Sequence, residues 1–171
     1  MIHKTKFLFL SLLFSFPCIL LAQTPNESLN KHLQQMQQLF LEENYYCYSE
    51  FMHDRVHEIN NSVERTQEIS ADGMQKMKEE EYEFLTAEFK NPSEIVEYYN
   101  QLQLTLTFEV LMNTPDGKLL EQYCMIGVSK DQGETWRFID TAGRDKEMVY
   151  KFFGDLSPEL HIFKTRSTPI E

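Results

Sequence analysis

Two imidazoles one helical turn apart, with a carboxylate beside the first, are the groups in this chain best suited to chemistry: His53-Asp54-Arg55-Val56-His57. Histidines at i and i+4 fall on one helical face. The same spacing occurs in the His-Glu-x-x-His pattern, where two rings hold zinc and the glutamate is the general base. Aspartate in that base position is one methylene too short. The sequence places no third ligand, because His32 and His161 lie far along the chain and Glu50 and Glu58 read as surface acids. The pair therefore reads as a solvated helix face, and no metal or other cofactor is expected. The remaining catalytic reading is an acid–base cluster inside a cavity, with His53, Asp54 and Asp140 as candidates.

Ser129-Lys130-Asp131-Gln132-Gly133-Glu134-Thr135-Trp136 has the form S-x-D-x-G-x-T-W, the Asp-box found in secreted sialidases and other β-propeller proteins. Its residues do the work of a hairpin. Asp131 can accept hydrogen bonds from turn amides, Gly133 supplies a backbone angle other residues resist, and Trp136 packs beneath the turn. A propeller needs at least four blades of four strands. This chain holds one copy of the motif, so Ser129, Asp131, Gly133, Thr135 and Trp136 are assigned to a structural turn.

For binding, the candidates are tyrosines, which offer an apolar body and a polar tip. Tyr45, Tyr46, Tyr98 and Tyr123 could line the mouth of a pocket, while packing in the core and rim is the plainer job for such residues. The sequence has no Gly-rich phosphate loop, nucleophile elbow or Cys-x-x-Cys.

These residues must be positioned by helices first and strands second. Thr24-Pro25-Asn26-Glu27 forms a capping box with proline at N1. Leu29, Leu33, Met36 and Phe40 then recur at helical spacing. A second segment, Tyr45 to Ile59, carries Met52, Val56 and Ile59 and should stop at Asn60-Asn61-Ser62. A third helix is predicted over Ser70–Tyr82, with Met74 and Met77 inward. The period then changes to two: Leu102, Leu104, Leu106, Phe108, Val110 and Met112 alternate with Gln103, Thr105, Thr107 and Glu109. Thr114-Pro115-Asp116-Gly117 reverses this strand into Lys118–Ser129, and the Asp-box turns that one into Thr135–Asp140. Leu85–Lys90 and Glu94–Tyr99 read as two earlier strands, and Asp145–Phe153 as a closing helix before a polar tail. The expectation is α+β, with helices on one side of a curved antiparallel sheet of about five strands. The polar face of the long strand is left to water or a partner, and a homodimer through the sheet is one expectation.

Lys4 and Lys6 precede an apolar run from Phe7 to Leu21 that ends at Ala22-Gln23, the layout of a cleaved export signal. The division is a signal peptide over residues 1–22 and one domain over 23–171, with a periplasmic or extracellular destination. Pro17 and the shortness of the run argue against a membrane span. Lipid attachment at Cys18 is the runner-up, because Ser15-Phe16-Pro17 lacks the small residue expected just before such a cysteine. Removing the leader leaves 14 basic against 27 acidic residues, a net charge of −13. That balance argues against nucleic acid as a partner. Cys47 and Cys124 could pair after export, but two cysteines fix no framework, and free buried thiols are common.

The second half resembles a known family. Pro92-Ser93-Glu94-Ile95-Val96-Glu97-Tyr98-Tyr99, Pro115-Asp116-Gly117-Lys118, the Asp-box run through Thr141, and Phe152-Phe153-Gly154-Asp155-Leu156-Ser157-Pro158 are similar to a group of small secreted NTF2-like proteins common in Bacteroidetes. The resemblance spans roughly residues 30–164. It implies a cone-shaped sheet wrapped around helices and an exported protein, and it brings no catalytic residues. His53-Asp54 departs from the histidine–proline expected there. The resulting expectation is a secreted, non-enzymatic binding or interaction module for a small molecule or protein. The alternative is a small-molecule isomerase, dehydratase or hydrolase with a polar site inside the cone.

Overall fold

The computed structural model describes residues 24–170; the leader and Cys18 lie outside the described residues. The capping box forms as the sequence predicts. Thr24 N–H donates to Glu27 Oε2 at 3.0 Å and Glu27 N–H donates to Thr24 Oγ1 at 3.3 Å. Helix α1 (Pro25–Leu41) follows and buries Leu29, Leu33, Met36 and Phe40. Then come α2 (Tyr45–Ser49), α3 (Asp54–Ile59), α4 (Val63–Glu79), β1 (Glu83–Lys90), β2 (Val96–Tyr98), β3 (Gln101–Thr114), β4 (Gly117–Ser129), β5 (Arg137–Asp140), α5 (Lys146–Phe152) and β6 (Arg166–Ile170). The fold is α+β, with helices of the N-terminal half packed on a curved, open antiparallel sheet of six strands.

The long hairpin β3–β4 is the spine of the sheet, in register from Leu102 opposite Ser129 to Thr114 opposite Gly117. On its outer side β3 carries β1 along Thr107–Asn113 and β2 along Gln101–Gln103, while β4 carries β5 along Met125–Val128 and β6 along Lys118–Gln122. β1 is bulged at Leu85, where a local kink adds to the sheet's curvature. The concave face is filled. Met36, Leu104, Leu106, Met112, Met125, Trp136 and Phe138 are all fully buried, and the Phe40 ring meets Phe84 and Phe108 edge-on at 5.1 and 5.2 Å. Gly127 stands opposite Leu104, where a Cβ would come within 3.3 Å of the Phe138 ring and 3.4 Å of Trp136; the missing side chain makes room for both rings.

Four expectations are corrected. Tyr45–Ile59 is two short helices, because Phe51–His53 runs as extended chain along β5: His53 N–H donates to Phe138 O and Phe138 N–H to Phe51 O, each at 2.8 Å. Pairing with a strand edge wins over helical continuity. The third helix begins at Val63, seven residues before Ser70, because Ser62 Oγ accepts from Arg65 N–H at 3.0 Å and caps it. The polar tail contains a sixth strand, β6, hydrogen-bonded to β4. Finally, the polar face of β3 is not all open. Gln103 and Thr105 are buried beneath α5 and the segment after it, which cover Ile126, Val128 and Ile139 with Val149, Phe153, Leu156 and Leu160. Gln103 fastens this layer, donating to Asp155 O and accepting from Ser157 N–H, both at 2.8 Å.

Candidate functional site

The Asp-box forms a closed knot of hydrogen bonds. Asp131 Oδ1 accepts from Ser129 Oγ at 2.8 Å and Thr135 N–H at 2.9 Å, and Oδ2 accepts from Thr135 Oγ1 at 2.6 Å. Gly133 N–H donates to Ser129 Oγ at 2.8 Å. Partial burial pushes the Asp131 carboxyl up, but the Thr135 and Ser129 bonds together outweigh it and hold the pKa below the ordinary value. Trp136 lies beneath, wholly buried. The loop grips the start of α1, where Ser28 Oγ donates to Glu134 O at 2.8 Å.

His53 is the N-cap of α3, its Nδ1 accepting from Arg55 N–H at 3.1 Å and its ring edge-on to Phe153. An accepting Nδ1 is unprotonated. Burial first, then the Lys130 charge, lower the ring's pKa. Asp54 pairs with Lys130 at 3.0 Å on the surface, and that hydrogen bond is the main cause of its lowered pKa. His53 and Asp54 border two grooves that His57 does not reach. Among the described residues no group of three or more His, Cys, Asp and Glu is placed to hold a metal ion.

Asp140 is elsewhere. It ends β5 at the edge of a recess that neither His53 nor Asp54 lines, so the three candidate catalytic residues share no cavity. The tyrosines are also dispersed. Tyr45 is buried against Phe40, and burial, reinforced by Glu43, pushes its hydroxyl up to about 12. Tyr46 is exposed, and Tyr98 stacks edge-on against Tyr99 at the β2–β3 turn. Tyr123 lies on the concave side near Phe108 with its hydroxyl on Glu121. None of these four lines the recess. Cys47 and Cys124 are free thiols; burial raises the pKa of Cys124.

The recess has a volume of about 380 Å³. It is built where α3, α4, α5 and the end of β5 meet. Met52 comes from the extended segment beside β5, Val56 and Ile59 from α3, Ile69 from α4, and Phe152 and Phe153 from the end of α5; Thr66, Ser70 and Asn60 supply polar edges. At one side stands the turn Asp140–Arg144. Asp140 Oδ1 accepts from Ala142 N–H at 2.7 Å, Thr141 Oγ1 donates to Cys124 O at 2.7 Å, and the Arg144 guanidinium reaches back to the carbonyls of Asp140 and Ala142 at 3.3 and 3.5 Å. The Asp140 side chain touches solvent although protein crowds it on most sides. That burial raises its pKa, opposed by the Ala142 amide and the Arg144 charge. Its open edge makes it a hydrated group, not a sealed one. Tyr48 stands close enough for burial and then the Asp140 charge to raise its hydroxyl pKa.

The sequence does not reveal this recess, because its pattern predicts the third helix only from Ser70 and leaves out Val63–Ile69. Without α4 in full there is no second wall. The signal was present in Ser62 before Val63-Glu64-Arg65, a serine N-cap after the Asn60-Asn61 break. No protein-family model matches the chain, and no curated protein matches it significantly. No helix among the described residues is long and apolar enough to cross a membrane.

Proposed function

We propose that this is an exported NTF2-like binding module that takes a small, largely apolar ligand in the recess between α3, α4 and α5. The observation that carries this reading is the wall of Met52, Val56, Ile59, Ile69, Phe152 and Phe153 around an open volume of about 380 Å³, with polar edges from Asn60, Thr66 and Ser70 and a charged rim at Asp140 and Arg144. Concave apolar cavities with a few converging polar groups are the common form of a small-molecule site. Binding is favoured over catalysis by the separation of Asp140 from His53 and by the commitment of His53 Nδ1 to capping α3. The collapsed concave face supports the same choice, since it leaves the cone interior to packing. Export rests on the Lys4–Ala22 leader pattern, and the family on the residue runs given above.

Titration with the apolar dye anilinonaphthalene sulfonate tests the site. The mature protein should show saturable fluorescence that is lost in Ser70→Trp, a substitution that fills the recess from α4 without touching the core. Unchanged binding in that variant would place the dye elsewhere and overturn the reading.

A further inference from the structure

The polar rim of the recess carries two opposite charges that do not neutralise each other through their side chains. The Arg144 guanidinium donates to backbone carbonyls of its own turn. The Asp140 carboxylate has one oxygen on the Ala142 amide, and among the described residues no ion pair joins Asp140 or Arg144 to any partner. Two nearby cations are already engaged, Arg55 with Glu58 and Lys130 with Asp54. The turn that holds the two groups is stiff, fixed by Thr141 on Cys124 O and by Arg144 N–H on Thr141 O at 3.0 Å. Directional groups held before binding are the ones that give selectivity, because little ordering cost remains.

Resting on the binding reading above, we infer that the recess selects a small zwitterion with an apolar body, an apolar α-amino acid being the simplest such ligand. Its ammonium would meet the free edge of Asp140 and its carboxylate the Arg144 guanidinium, while its side chain lies over Val56, Ile59, Ile69 and Phe152. Guanidinium suits a carboxylate because its planar fork matches the two oxygens. An ammonium alone would leave Arg144 facing it, and a carboxylate alone would leave Asp140 facing it. Only a head carrying both charges satisfies both sides.

Isothermal titration with L-phenylalanine, phenethylamine and phenylpropanoate, on wild type, Arg144→Gln and Asp140→Asn, tests this. Wild type should prefer phenylalanine over each single-charge analogue by about 10-fold or more, the scale of one lost charge-assisted hydrogen bond. Arg144→Gln should weaken phenylalanine and phenylpropanoate but not phenethylamine, and Asp140→Asn should weaken phenylalanine and phenethylamine but not phenylpropanoate. Asp140 and Arg144 are both solvent-exposed, and asparagine keeps the acceptor for Ala142 N–H. Equal affinity for all three compounds, or phenylalanine binding unchanged in both variants, would overturn the inference. If dye still binds in a manner blocked by Ser70→Trp while phenylalanine does not bind, the zwitterion falls and the apolar site stands; if the dye also ignores Ser70→Trp, the site itself falls.

Discussion

Gly133 lies directly on Pro25. A Cβ at Gly133 would stand 2.5 Å from Pro25 Cβ and 2.8 Å from its Cα, and the Gly133 φ of +91° is one that side chains rarely adopt. The Asp-box thus joins parts of the chain far apart in sequence, locking the β4–β5 loop onto the first turn of α1. Gly133→Ala should lower stability by about 1–3 kcal/mol through strain and displacement of α1. Gly73→Ala, in α4 with open space around it, should raise stability by about 0.4–1 kcal/mol. Urea denaturation of both variants checks the pair; equal effects would mean that Pro25 does not bear on the loop.

The hydrogen-bond knot makes Asp131 an acid sensor of the hairpin. Its folded pKa lies below the ordinary value of 3.8, so its contribution is present at neutral pH and is lost as pH falls through the folded pKa. Asp131→Asn should lose stability at pH 7 and show a shallower fall below about pH 4 than wild type. Trp136→Ala should cost about 3–5 kcal/mol at either pH. A wild-type acid limb unchanged in the asparagine variant would assign the sensitivity elsewhere.

Buried Gln103 should behave as a core residue. Gln103→Met keeps its length but leaves Ser157 N–H and Asp155 C=O without partners, at about 1–3 kcal/mol for each group left unsatisfied. Faster amide hydrogen exchange at Ser157 than at Leu104 would show the C-terminal layer opening first. Thr105→Lys, only 5% exposed in the native fold, should destabilise as well. Thr107 and Glu109, further along the same face, are half-buried, with Lys90 pairing with Glu109 at 2.6 Å, and any self-association through the sheet belongs there.

Histidine capping gives a second pH window, separate from the carboxylates. The folded pKa of His53 lies below its ordinary 6.5, so the unfolded chain takes up this proton first. Stability is therefore flat above about pH 6.5 and falls as pH drops from there toward the folded pKa. His53→Asn, which can still accept from Arg55 N–H, should remove that fall while leaving the lower limb. A midpoint that rises on acidification between pH 7 and 5 would contradict the sign.

The fold was legible where periodicity was strong. Leu102–Met112 and the Thr24 capping box named a strand and a helix start because hydrophobic alternation and cap chemistry are local. Gln103 and Thr105 misled because their burial depends on a layer contributed more than fifty residues later, from Asp155 onward. The Tyr45–Ile59 break came from Phe138, a partner no local pattern announces. The site was less legible still. Its apolar walls come from three helices whose individual stripes read as ordinary core, and Asp140 was singled out without its neighbour Arg144, since only the turn between them brings both to one rim.

The most direct test of the proposed binding site is methyl NMR of residues 23–171, labelled at methionine, isoleucine and valine, during titration with anilinonaphthalene sulfonate. The recess predicts shifts at Met52, Val56, Ile59 and Ile69, with Met36, Met112 and Met125 of the filled concave face unmoved. Shifts centred on Met36, Met112 and Met125, with the recess methyls silent, would contradict it and return the ligand site to the interior of the cone.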